Sequence, residues 1–190
     1  MAGHRDRMIT SAAILIRERG ARPTAIADVL AHSGAPRGSA YHYFPGGRNQ
    51  LLCEAVDYAA DYVAAAISEA RSGVQMLDIA VRFYRDGLID SDYRAGCPVM
   101  AVAVEAGDPD IGTDVIAHAG AAFDRWRDLI TGRLVDDGVS RRKAADLAAL
   151  VVSALEGALV LARASSDTAP LDAVARQLRR MLKTETQRES

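Results

Sequence analysis

A chain of 190 residues that is 49% hydrophobic can bury a substantial core in one or two domains, which argues against intrinsic disorder. Its two cysteines, Cys53 and Cys97, lie far apart with no CxxC spacing, so neither a disulfide framework nor a zinc module follows, and a reduced, cytoplasmic setting is the expectation. The net charge of −2 is unevenly spread: residues 1–50 hold seven arginines against three acids, and the remainder holds 16 basic and 22 acidic groups, so a head of +4 sits on a body of −6, as expected when only the head meets phosphate.

Alanine is abundant and aromatic residues make up only 5%, a composition that leans to helix. Ile9, Ala12, Ala13 and Ile16 recur at helical spacing, and Gly20 is placed to close that helix in a left-handed conformation. The apolar run from Met8 to Ile16 is too short and too interrupted by Thr10 and Ser11 for a secretory leader. Arg5 and Arg7 before it read as solvated charges or a basic arm. Thr24 reads as the cap of a second helix, with Asp28 at its positive end and Ile26, Val29 and Leu30 as its buried stripe. Gly34 stops it, Pro36 suits the first turn of a third helix, and Ala40 and Phe44 give that helix an inward side before Pro45-Gly46-Gly47 ends it. Two short helices joined by a glycine-containing turn form a helix-turn-helix, whose second helix is built to enter a DNA major groove.

From Asn49 the pattern lengthens. Leu52, Ala55, Val56, Ala59, Val63, Ala66, Ile67 and Ala70 keep helical spacing over one long element, and Leu77, Ala80, Val81, Tyr84 and Leu88 mark the next. Pro98 opens a short apolar helix through Ala106, and Asp108-Pro109 reads as the start of a helix carrying Ile111, Val115, Ala119, Ala122, Trp126, Ile130 and Leu134. Ser140 is expected to cap a helix through about Ala164, and Pro170 to open the last one, with the tail after Lys183 frayed. The apolar stretch from Leu147 to Ala162 is short for a bilayer span and is interrupted by Ser153 and Glu156. The fold class expected is all-α with about nine helices: a unit of three helices carrying the helix-turn-helix over residues 1–48, and a helical body over residues 49–190, which the resemblance described next implies to be the effector-binding and dimerisation domain.

The stretches Thr24-Ala25-Ile26-Ala27-Asp28-Val29-Leu30 and Gly34-Ala35-Pro36-Arg37-Gly38-Ser39-Ala40-Tyr41-His42-Tyr43-Phe44 resemble the helix-turn-helix signature of the TetR family of bacterial transcriptional regulators. Phe44-Pro45-Gly46-Gly47-Arg48, Gly96-Cys97-Pro98, Glu156-Gly157 and the Pro170 helix are similar to its LmrA/YxaF-like branch. The resemblance implies an all-helical dimer in which three N-terminal helices bind DNA and about six more form a ligand and dimer domain. Two positions depart from the pattern: Ala40 stands where a larger aliphatic residue is usual, and Pro36 where a serine cap is common.

The chemistry of the candidate DNA face follows from its side chains. Arg37 suits paired hydrogen bonds to guanine O6 and N7, or a phosphate clamp. Ser39 reaches a base edge or a phosphate, Gly38 lets the backbone approach closely, and Pro36 is counted with them as a DNA-binding residue. Tyr41 and His42 suit phosphate oxygens, Thr24 offers a hydroxyl at a helix start, and Arg48 is placed to hold backbone phosphate. In the body, Tyr84, Met100, Glu105, Phe123, Trp126 and Glu156 are candidates to meet a mainly apolar effector, the two carboxylates because an acid in an apolar helix needs a partner. The penultimate helix is apolar almost all round, so it must be buried on several sides. Leu150, Ala154, Gly157, Ala158 and Leu161, with Leu171, Val174 and Leu178 on the last helix, are the candidate dimer interface of a four-helix bundle.

Enzyme fingerprints are missing from the sequence: there is no GxSxG, HExxH, P-loop or dinucleotide motif. The expectation is therefore not an enzyme, with no cofactor and no metal. The expected partners are an operator in double-stranded DNA, a small-molecule effector and a second copy of the chain, and not a membrane. A regulator answering to a protein partner and a non-specific architectural DNA binder are the alternatives.

Overall fold

The computed structural model describes residues 3–188. Among these the chain forms nine α-helices and no strand: α1 His4–Arg19, α2 Ile26–Ser33, α3 Ser39–Tyr43, α4 Gly47–Glu69, α5 Gly73–Asp90, α6 Pro98–Ala103, α7 Thr113–Asp136, α8 Arg141–Ser165 and α9 Ala169–Arg188. They compact into two units, Met1–Asp61 with Cys97–Ala122, and Tyr62–Gly96 with Phe123–Ser190. This division differs from a cut at residue 48, because α4 and α7 each give residues to both units.

In the first unit α1 packs on α2 and α6. Met8, Ile16, Val29, Phe44, Leu52, Val99 and Val102 are buried there, which places the periodic face of α1 inward as its spacing requires. Gly20 follows α1 at φ 95 and ψ 166, so its φ is positive but it is not in the left-handed helical region expected. Gly34 does end α2 in that region, at φ 65 and ψ 22. The cap of α2 is Ala25 rather than Thr24, and Asp28 Oδ2 accepts the Ala25 N–H at 3.2 Å while pairing with Arg19 at 2.8 Å.

Two other starts and stops differ from expectation. α6 ends at Ala103, and α7 begins at Thr113 rather than at Asp108-Pro109. The Asp108 carboxylate instead accepts the Asp110 N–H at 2.9 Å, an Asx-type turn that competes with helix initiation. On α4, Asp57 Oδ1 lies 2.7 Å from His118 Nδ1 on α7.

Nearby, Cys53 is buried, and burial, followed by the negative charges of Asp114 and Asp57, pushes its thiol up from an ordinary 9.0 to about 11. The folded chain thus holds that proton more tightly than the unfolded one. The stabilising contribution is complete below pH ~9 and is lost as pH rises towards 11. Iodoacetamide labelling near pH 8 should accordingly be slow at Cys53 until denaturant is added, as mass spectrometry of tryptic peptides would read.

In the second unit α5, α8 and α9 pack together over Leu77, Leu88, Leu155, Leu159, Leu171 and Leu182. Ser72 caps α5 by accepting the Gln75 N–H at 3.2 Å. Arg85–Asp172 and Arg179–Asp78 tie α5 to α9, and Lys143–Glu185 at 2.8 Å ties α8 to α9. With Leu182 buried and Glu185 paired, α9 continues to Arg188 instead of fraying after Lys183. Ser140 stands at the N-cap of α8, although its hydroxyl makes no capping bond. At 25 residues α8 is long and apolar enough to cross a membrane by length and composition. Its residues alternate between buried and exposed, the pattern of a helix packed along one side.

Candidate nucleic-acid interface

The reading unit is α2, the turn at Gly34–Gly38, and α3. Pro36 lies in the turn, three residues before α3 begins, and its carbonyl accepts both the Ser39 N–H at 2.9 Å and the Ser39 hydroxyl at 2.7 Å. Ala40 and Phe44 are buried, and the Arg5 guanidinium stands 5.7 Å from the Phe44 ring centroid. One side of α3 is thereby fixed in the core even though Ala40 is small. The other side is solvent-facing: Pro36, Arg37, Gly38, Tyr41 and His42 are exposed, Tyr41 to 72%. Arg37 forms none of the hydrogen bonds or ion pairs found among the described residues. His42 packs edge-on against Tyr43, with ring centroids 5.1 Å apart.

Two expected DNA contacts are corrected by their surroundings. Thr24 is 1% exposed and its hydroxyl donates to the Gly20 carbonyl at 2.7 Å, so it neither caps α2 nor faces phosphate. Arg48 donates to the carbonyls of Thr24 at 2.9 Å, Asp110 at 3.0 Å, Ala21 at 2.6 Å and Arg22 at 2.9 Å. Four of its five N–H groups are thus engaged by backbone, and Arg48 is a structural bolt. Arg5 and Arg7 lie inside α1, paired with Glu54 at 2.7 Å and donating to the Ser33 carbonyl at 3.3 Å respectively, so they are not a free arm.

Of the residues expected to meet an effector, Tyr84, Trp126 and Glu156 come together in the second unit around a cavity of about 50 Å³. The Tyr84 hydroxyl donates to Glu156 Oε1 at 3.4 Å. Tyr62 and Phe83, 5.1 Å apart, flank an adjoining groove of about 80 Å³ that shares Tyr84 with it. Phe123 lines neither space and packs edge-on to Trp126 at 5.5 Å. Met100 and Glu105 belong to the first unit. Glu105 is outside α6, its carboxylate accepts the Arg22 backbone N–H at 3.0 Å, and it is not part of the lining of the cavity around Tyr84, Trp126 and Glu156.

The candidate dimer residues also divide. Leu150 (44%), Gly157 and Leu161 (60%) are exposed on α8, and Ala154 and Val174 are half-buried. Ala158, Leu171 and Leu178 are buried inside the protomer and present nothing to a second helix. The reading from sequence missed Ser153, Val160 and Ala164, which share the exposed stripe of α8. Their signal was the spacing of three, four and seven from Leu150 and Gly157, usable only once the buried side of α8 is known.

Comparison with known proteins agrees with this architecture. Residues 73–177 match the model of the C-terminal domain of LmrA/YxaF-like transcriptional regulators. Over 188 residues the chain is 58% identical to an uncharacterised HTH-type transcriptional regulator of Mycobacterium tuberculosis, covering 97% of each chain. It is 26% identical over 178 residues to the HTH-type transcriptional regulator YxaF of Bacillus subtilis, covering 92% of each. The crystal structure of a regulatory protein TetR from Rhodobacter sphaeroides shares the fold with a TM-score of 0.81 at 20% identity, over 92% of this chain and 96% of that one. A helix-turn-helix with one face locked and one polar face exposed, on a helical body of this descent, makes the chain a member of the TetR family of transcriptional regulators, in its LmrA/YxaF-like branch.

Proposed function

We propose that this regulator is a cytoplasmic repressor, and not an enzyme, that binds a pseudo-palindromic operator as a homodimer and leaves it when a small, mainly apolar effector binds. The observation that carries this reading is the face of α3. Arg37, Tyr41 and His42 are exposed beside Gly38 and Ser39, while Ala40 and Phe44 hold the helix in place. A rigid helix with a polar outer face suits groove reading, in which side chains meet base edges and phosphates from a fixed register. One such helix touches only a few base pairs, so two related by a twofold axis are needed to recognise a site about one or more helical turns in length. The exposed apolar stripe of α8 supports that pairing. In this reading residues 1–48 meet DNA and the remainder senses and dimerises.

The lining beside Tyr84, Trp126 and Glu156 suits the effector half of the proposal in its chemistry, apolar with a hydroxyl and a carboxylate, but at about 50 Å³ the cavity must open into the adjoining groove to admit such a molecule. α4 begins directly after α3 and runs unbroken for 23 residues to Glu69, past Val63 and Ile67 on the cavity wall. A ligand that favours a different setting of α4 would change the spacing of the two reading helices. A coupling of about 1.4 kcal/mol shifts operator affinity tenfold.

Mapping of bound fragments across the host genome tests the function directly, and enrichment of no common sequence would sink it. Arg37→Ala should weaken binding to the recovered site by about 1–3 kcal/mol and relax base preference at one position of each half-site. Competition against random duplexes reads both effects. A uniform loss with unchanged preference would assign Arg37 to phosphate.

A further inference from the structure

The loop between α6 and α7 grips the turn that launches the reading unit. Glu105 Oε2 accepts the Arg22 backbone N–H at 3.0 Å, and Glu105 Oε1 stands only 2.5 Å from where a Cβ on Gly20 would lie. The Arg22 guanidinium is 3.3 Å from the Asp108 carboxylate and 3.4 Å from that of Asp110. Arg48 joins the two sides, donating to three carbonyls of the turn and to that of Asp110. The loop therefore holds the turn by backbone and by charge.

That grip matters because of what the turn lacks. Residues 20–25 lie between α1 and α2, outside any helix. Gly20, at φ 95, is the residue there with the most rotational freedom. Because α2 is packed on α1, a rotation at Gly20 would shift α2 by a small step against α1, and α3 with it. Base-edge hydrogen bonds are lost with small displacements, whereas phosphate contacts by flexible arginines tolerate them.

We propose that Glu105 is a positioning residue for sequence-specific DNA binding: its carboxylate, accepting the Arg22 N–H, fixes the pivot at Gly20 and so the angle at which α3 meets the groove. Glu105 touches no DNA in this role. The proposal rests on the DNA-reading role of α3, and its failure is separable from failure of that reading.

The test uses the full chain and a duplex enriched by the wild-type protein from a random library, with a scrambled duplex of equal length as reference. Glu105→Gln keeps an oxygen acceptor at the same reach. Glu105→Asp keeps the charge but withdraws it by one methylene. Both retain a polar side chain, which favours folding of each. Glu105→Asp should lose about tenfold in affinity for the enriched duplex and less than about twofold for the scrambled one. Glu105→Gln should stay near wild type on both. The Arg22 amide should exchange with solvent faster in Glu105→Asp and remain protected in Glu105→Gln. Wild-type behaviour of Glu105→Asp, equal losses on both duplexes, or a Glu105→Gln that falls with Glu105→Asp would each overturn the positioning role alone. A wild-type protein that enriches no sequence would overturn the operator reading and this proposal with it.

Discussion

Leu161→Glu should give a folded chain that sediments as a monomer and binds a recovered operator at least a hundredfold more weakly than wild type. Leu161 is 60% exposed, in a stripe with Leu150, Gly157 and Val160, so its removal leaves no cavity inside the protomer. A glutamate there adds a carboxylate to each of two facing copies. Desolvating both without a counter-charge costs several kcal/mol, and about 2.8 kcal/mol already shifts an equilibrium a hundredfold. Loss of pairing removes the second half-site contact, so operator affinity falls much further than affinity for a single half-site. Analytical ultracentrifugation and circular dichroism together read the result. A variant that stays dimeric and tight would move the dimer surface off α8. Substitutions at Ala158, Leu171 or Leu178 should instead lower stability, because these side chains are buried in the protomer's own core.

Arg48→Ala should cost about 2–4 kcal/mol of folding stability, read as a lower denaturant midpoint or a melting temperature reduced by about 5–15 °C. Its guanidinium meets carbonyls of Ala21, Arg22, Thr24 and Asp110, and the alanine variant leaves these acceptors with water or with nothing. Arg48→Lys should recover little, since one ammonium lacks the planar fork that spans four oxygens. A phosphate-clamping Arg48 gives a different signature: an unchanged melting temperature and a salt dependence of DNA binding shallower by about one ion.

The helices were legible because their buried positions repeat at a period that one sequence displays without help. α1 and α5 carry that repeat and it survives in the structure, whereas in α4 the buried face passes through Ala60 and Ala64 in place of Ala59, Val63 and Ala66. Helix starts were harder. Thr24 and Asp108 are both strong local capping types, yet Thr24 turns its hydroxyl to Gly20 and Asp108 closes a turn onto Asp110. In both cases a nearby backbone group captured the side chain first, and such competition leaves no periodic trace. Arg48 was misread for another reason. Its four acceptors come from residues as far away as Asp110, and a cation next to a reading helix looks the same in sequence whether phosphate or carbonyl awaits it. The polar side of α3 was easier, because the positions of Ala40 and Phe44 fix which residues must point outward.

The way the chain compacts sets a rule for building chimeric regulators. Exchange of the first 48 residues between relatives is the obvious graft, yet Arg48 and Arg22 of this chain bond to Asp110 and Glu105. The transferable cassette is discontinuous: residues 1–61 need residues 97–122 of the same parent. A graft made at residue 48 alone would carry a foreign loop against the donor's turn, and its altered promoter choice would report that mismatch as much as the transplanted helix.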